Sequence, residues 1–137
     1  MTERSVLDGI LERGVLRIAV EFNPPPEEGG FPPEFYIDPK TGKPWGIAPI
    51  IGGLIAEDLG VELECVDLHW PEHVPALLSG KVDLLPKHTN TPQRALQVEF
   101  ATGRLTAYRI TALIPADSEI TDKSELNQEG KIITVWH

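Results

Sequence analysis

The sequence predicts an α/β protein built on a parallel sheet, and three observations carry that prediction. Apolar strand-like runs alternate with segments of helical periodicity, in the order strand, helix, strand, helix, strand. The joints between them are short and marked by Gly, and short connections with right-handed crossovers give parallel neighbours. The composition is that of a packed core: of 137 residues, 41% are hydrophobic and 24% charged, the proportions of one ordinary globular domain.

The elements follow in order. Leu7, Ile10 and Leu11 recur at helical spacing, and Gly14 closes that helix. "VLRIAV" (15–20) reads as a strand. Residues 21–46 are rich in Pro and Gly and read as a stiff loop, with a hairpin around "DPKTGK". Ile50, Ile51, Leu54, Ile55 and Leu59 give the next helix its buried face, and Gly60 ends it. Gly52 and Gly53 weaken that helix by about 1 kcal/mol each, which points to close packing there. "VELECV" (61–66) is the second strand. "PEHVPALLSG" (71–80) is a short helix with Val74, Leu77 and Leu78 inward, and "VDLL" (82–85) is the third strand. A helix opens at Thr91 and Pro92, an N-cap followed by a proline suited to the first position. "YRITALIP" (108–115) reads as a fourth strand, "TDKSELNQEG" as a short capped helix and turn, and "KIITV" (131–135) as a last strand.

In open parallel sheets, ligands bind beyond the carboxyl ends of the strands. The segments leaving those ends are Glu21–Phe22–Asn23, then Asp67–Leu68–His69–Trp70, then Pro86 through Thr91 and on to Arg94. Arg94 falls in the first turn of its helix, where the backbone dipole disfavours a cation. It therefore needs a compensating anion, either a neighbouring acid such as Glu99 or Asp83, or a bound ligand. Arg94, the two threonines Thr89 and Thr91, the aromatic ring of Trp70 and the acid Glu21 are thus expected to converge on one edge. Lys87 adds positive charge to the edge, although its plain expectation is a solvated lysine. His88 is expected as a solvent-facing loop histidine flanking the site.

The net charge of −9 argues against nucleic acid or an anionic membrane as partner. The single cysteine, Cys65, excludes an intrachain disulfide and reads as a small buried hydrophobe. No apolar run approaches transmembrane length, and "MTERSVLDGILERG" holds no signal-peptide apolar stretch. His69 and His73 have a zinc-like spacing, but Pro71 breaks the helix that would align them, so no metal is expected. No cofactor is expected either. Nucleophile elbows, phosphate loops and catalytic cysteine pairs are absent from the sequence, which points away from an enzyme.

The chain resembles the bacterial extracellular solute-binding proteins of family 3, the polar amino-acid-binding receptors of ABC importers. Five segments carry the resemblance in register: "LDGILERGVLRIAV", "TGKPWGIAPIIGGLIAEDLGVELECV", "HWPEHVPALLSGKVDLL", "TNTPQRALQVEF" and "DSEITDKSELNQEGKIITV". It implies a type II periplasmic-binding-protein-like fold, the Venus flytrap, in which two α/β lobes close on a ligand. In the family's T-x-T-P-x-R motif the arginine clamps a ligand carboxylate, and that position is Arg94 here. A guanidinium can give two parallel bonds to such a group.

The resemblance also has departures. The family's acidic "G-F-D-x-D-L" reads "GIAPII" here, and its "F-S-x-P-Y" reads "FATGR". An amino acid or a relative, a ligand with a second acidic group favoured by Lys87 and Arg104, and a plain organic acid all stay open. By the resemblance, residues 1–107 form the first part of a three-layer parallel lobe one, 108–116 the crossing strand and 117–137 the start of lobe two. The fold is thus an incomplete member of its class. The implied role is capture of a carboxylate-bearing solute for an ABC permease, in the periplasm or outside the cell. A receptor's sensor domain and a non-binding fragment are the alternatives, and an enzyme like the family's dehydratase relatives is the less favoured one. An incomplete sheet is also expected to self-associate, which a clean monomer in sedimentation would contradict.

Overall fold

The computed structural model describes residues 5–21, 33–103, 105, 107, 111–127 and 130. The chain divides into two compact units, Met1–Gly103 and Arg104–His137. In the first, α1 (Val6–Arg13) is followed by β1 (Val15–Val20), a small hairpin of β2 (Tyr36–Ile37) and β3 (Pro44–Trp45), α2 (Ile47–Leu59) and β4 (Glu62–Asp67). A 3-10 turn at Trp70–Glu72 then leads into α3 (His73–Leu78), and α4 is a single turn, Pro92–Ala95.

Local chemistry sets the ends of these helices. Ser5 and Asp8 form a reciprocal capping box at the start of α1, and Gly14 closes it in the left-handed region at φ 72. Gly60 closes α2 in the same way at φ 67. Asp38 and Lys43 are bonded across the β2–β3 turn, as the "DPKTGK" signal predicts.

β1 pairs in parallel with β4, from Val15 opposite Glu62 to Val20 opposite Asp67. On its other side runs the "VDLL" segment, which makes one parallel bridge, Ile18 to Leu84, rather than a full strand. β1 is therefore central, and Leu16, Ile18, Ala19 and Val20 are all buried. Covered on both faces, it is apolar throughout except at Arg17, with no in-out alternation beyond that residue. One face packs Ile10 of α1 and Ala56 of α2 against Leu16, Ile18 and Val20. The other packs Ala76 of α3 and Val82 against Ala19 and Leu68. The result is a three-layer parallel α/β unit.

The helix faces differ from the sequence reading. In α2 the buried residues are Ala48, Pro49, Gly52 and Ala56, while Ile50 and Leu54 are exposed. The reason is proximity, since a Cβ on Gly52 would lie 2.8 Å from Ile18 Cδ1. Small residues face a sheet held this close, Ile55 and Leu59 pack against the core as expected, and Ile50 and Leu54 turn outward. Gly53 has nothing within 4 Å of a built Cβ, so close packing does not explain it. In α3 the buried pair is His73 and Ala76, and Leu78 is exposed. Half-buried Leu77 packs against the core beside them, so the inner face lies one position back from the expected set. In α1 only Ile10 is buried, and Leu7 and Leu11 face outward. Cys65 is half-buried against the core, and burial, then Glu64, push its thiol up to about 11, so it stays protonated.

Asp83 fastens the layers at the end of the sheet where β1 begins. Its side chain, 5% exposed, takes an N–H from Arg13 at 2.6 Å. It also accepts the Arg17 backbone N–H at 2.9 Å and the Arg17 guanidinium at 2.8 and 3.2 Å. Burial pulls the Asp83 carboxyl upward, but the Arg17 bonds and the two arginine charges outweigh it and hold it below its ordinary value. A cavity of about 440 Å³ opens beside Arg13 and Asp83, bounded by α1, α3 and residues 97–99.

In the second unit, Asp122 caps a 3-10 turn at Lys123–Leu126 with a capping box to Glu125. Residues 111–115 do not form a strand. Residues 108–110 of the expected fourth strand, and the whole of 131–135, lie outside the described residues.

Candidate functional site

β1 and β4 end together, and the Leu68 N–H donates to the Val20 carbonyl at 2.9 Å. From this edge leave Glu21, the His69–Trp70 turn and the 86–94 segment, as parallel topology requires. Phe22, Asn23 and Arg104 lie outside the described residues.

Four of the expected site residues come together here. Thr91 caps α4, its Oγ1 accepting the Arg94 backbone N–H at 3.3 Å. Arg94 Nη1 donates to the Thr89 carbonyl at 3.0 Å. The guanidinium carbon lies 5.8 Å from the centre of the Trp70 ring, within cation–π range. Trp70 itself remains 45% exposed. Among the described residues no carboxylate lies within ion-pair distance of Arg94, and Asp83, an expected partner, is committed to Arg13 and Arg17. The dipole argument for Arg94 carries less weight than the sequence implied, because α4 is only four residues long and has little macrodipole.

Two histidines complete the cluster. His88 is not a solvent-facing loop residue; its ring stacks on Trp70 at 4.4 Å and 7°. His73, 4% exposed, lies 5.2 Å from both rings. Its Nε2 bonds the Leu68 carbonyl at 3.1 Å, which assigns the proton to Nε2. The Nδ1 atoms of both histidines are buried without a hydrogen-bond partner. Burial, then the nearby His73 and Arg94 charges, push His88 down to about 4, so it is neutral at physiological pH.

The other two expected site residues, Glu21 and Lys87, each meet another side chain. The Glu21 carboxylate, 20% exposed, lies 3.6 Å from His69 Nδ1. His69 is 77% exposed, whereas His73 is buried. Lys87 is not a solvated lysine, because it forms an ion pair with Glu34 and both side chains are largely buried.

Sequence reasoning missed Glu34. It lies inside the Pro- and Gly-rich loop, and nothing in that composition separates it from its acidic neighbours. Its carbonyl accepts the Ala48 N–H at 3.2 Å, while the Ile47 N–H goes to the Pro33 carbonyl at 3.0 Å. Residues 33 and 34 thereby satisfy the orphan donors that open α2. Gly46, at φ 124, lets this strand approach, because a Cβ there would lie 2.6 Å from the Glu34 oxygen. His73 had a weak signal in its spacing of three from Ala76.

Residues 27–131 match the profile of the bacterial extracellular solute-binding proteins, family 3. The chain belongs to this family. Its fold is that of a type II periplasmic-binding-protein lobe, and solute binding is the family's function.

Solved structures agree. The chain is similar to an ancestral cationic amino acid solute-binding protein, AncCDT-1, at 33% identity and TM-score 0.60, over 71% of this chain and 39% of that one. It is similar to an ancestral cyclohexadienyl dehydratase, AncCDT-3, at 31% identity and TM-score 0.57, over 70% of this chain and 37% of that one. It is also similar to the arginine-bound form of domain 1 from TmArgBP, at 31% identity and TM-score 0.55, over 65% of each chain. No curated protein sequence matches. The chain thus spans 39% of the length of AncCDT-1. No helix among the described residues is long and apolar enough to cross a membrane.

Proposed function

We propose that this chain captures a small carboxylate-bearing solute, an amino acid or a relative, with Arg94 as the clamp. One observation carries the reading. Arg94 stands at the ligand-binding edge of the sheet with no acid partner among the described residues, yet it is fixed in place by the Thr89 carbonyl and the Trp70 ring. A guanidinium held this way presents its remaining donors as a preorganised fork, and a carboxylate matches that fork with two bonds. Trp70 forms the wall beside the ligand, the Thr89–Thr91 segment supplies further polar contacts, and Glu21 faces the edge.

In this reading residues 1–107 belong to lobe one, 108–116 to the crossing and 117–137 to lobe two. The solute is delivered to an ABC permease, and the protein works in the periplasm or outside the cell. The reading is one of binding and not of catalysis. The names of two neighbours, a cationic amino acid-binding protein and an arginine-bound domain, support an amino acid as the solute.

Calorimetry with amino acids and small organic acids tests it. Arg94→Ala is expected to weaken binding of a carboxylate ligand by about 100-fold, since charge-assisted bonds contribute about 1.5–3 kcal/mol each, while the melting temperature barely moves. Affinity retained in the variant would rule the clamp out.

A further inference from the structure

We infer that the Glu34–Lys87 ion pair sets the charge of the ligand, withdrawing Lys87 from the site so that the edge accepts a solute with one carboxylate in preference to a dicarboxylate. This rests on the carboxylate-clamp reading of Arg94 and deepens it.

By sequence alone Lys87 is a second cation two residues from Thr89, and it argues for a diacid. The structure changes that count. Lys87 and Glu34 are paired with their side chains only 21% and 16% exposed. Solvent competes little with an ion pair buried to this degree. The Glu34 backbone is anchored by its bond from Ala48 at the opening of α2 and by its seat over Gly46, which keeps the residue beside Lys87. Drawing Lys87 off to a ligand would leave a buried carboxylate uncompensated, which is strongly unfavourable.

The other groups at this edge point the same way. His88 is neutral, stacked on Trp70 and close to His73 and Arg94. His69 leans towards the Glu21 carboxylate. Trp70 is 45% exposed, and an aromatic ring carries negative quadrupole charge that repels an anion and attracts a cation, as it does the Arg94 guanidinium. With Lys87 held by Glu34, a second ligand carboxylate therefore meets the Trp70 ring and the Glu21 carboxylate beside His69, while an ammonium meets favourable partners there.

The test is calorimetry on the 137-residue chain with arginine, glutamine, glutamate and succinate. The wild type is expected to bind the better of arginine and glutamine at least tenfold tighter than glutamate or succinate. Glu34→Gln releases Lys87 and should shrink that preference at least tenfold. Adding Lys87→Met to Glu34→Gln should restore it, which simple structural damage would not do. If Glu34→Gln does not fold, the double variant Glu34→Gln/Lys87→Met, which leaves no buried charge unpaired, decides, since the preference must survive it. A wild type that binds the dicarboxylates as tightly, or a preference that collapses in the double variant, overturns the inference. Arg94→Ala separates the two levels. Diacids preferred through an essential Arg94 overturn only the charge rule, whereas binding indifferent to Arg94, or no binding of any probe, overturns the clamp as well.

Discussion

At the end of the sheet where β1 begins, buried Asp83 meets two arginines and a backbone N–H, and both its oxygens are bonded. At the end where β1 leaves, Arg94 has no acid among the described residues, and His73 and His88 each bury an Nδ1 without a partner. The same sheet carries both arrangements some five residues apart. Satisfied charges knit α1, β1 and the 82–85 segment together. Unsatisfied groups are costly to keep in a fold, and among the described residues these gather at the edge proposed to take the solute. Local violations of packing rules collect at sites that act on something else.

Three variants would break or sharpen this contrast. The largest effect belongs to Asp83→Ala, which strands two arginines. It is expected to lower stability by about 3 kcal/mol in urea denaturation while leaving the ligand preference intact. A loss below about 0.5 kcal/mol would mean that the network is a solvated surface pair after all.

The second effect is a pH dependence, and its two ends separate on the pH axis. His88 falls from 6.5 in the unfolded chain to about 4 in the fold. The folded state therefore takes up its proton less readily than the unfolded chain. Stability is complete above pH 6.5 and drains away as pH falls towards 4. Asp83 is held below its ordinary 3.8, so its contribution is present above pH 3.8 and is lost only in stronger acid. Thermal melts from pH 7 to 4 should decline in the wild type and flatten in His88→Phe, which keeps a ring on Trp70 but cannot titrate. Equal slopes in the two proteins would remove His88 as the source.

The smallest effect is Thr91→Ala, which deletes the cap of a one-turn helix. It should cost about 1 kcal/mol and, by loosening the turn that carries Arg94, weaken ligand binding more than Asp83→Ala does. Equal binding in both variants would show that Arg94 is held by Trp70 and Thr89 without help from the cap.

Much of this was written in local sequence. The ends of α1 and α2 follow from Gly14 and Gly60, the hairpin from "DPKTGK", and the α4 start from Thr91 and Pro92, because each depends on neighbours within a few residues. The parallel order of β1 and β4 follows from the alternation of periods. The gathering of Arg94, Thr89, Thr91 and Trp70 follows too, because parallel strands deliver their exits to one edge.

Three features were decided only by the tertiary structure. The inward faces of α2 and α3 depend on how closely each helix approaches the sheet, which amphipathic spacing does not encode. Ile50 and Leu54 look like core residues until Gly52 is seen against Ile18. His88 reads as a loop residue until Trp70 comes to lie over it from another connection. Lys87 reads as a spare positive charge until Glu34, fifty-three positions away, is brought to it by the opening of α2. The sequence supplies charges, caps and periods, which act over one or two turns of chain. Which charges cancel is a property of distances between segments, and only folding sets those.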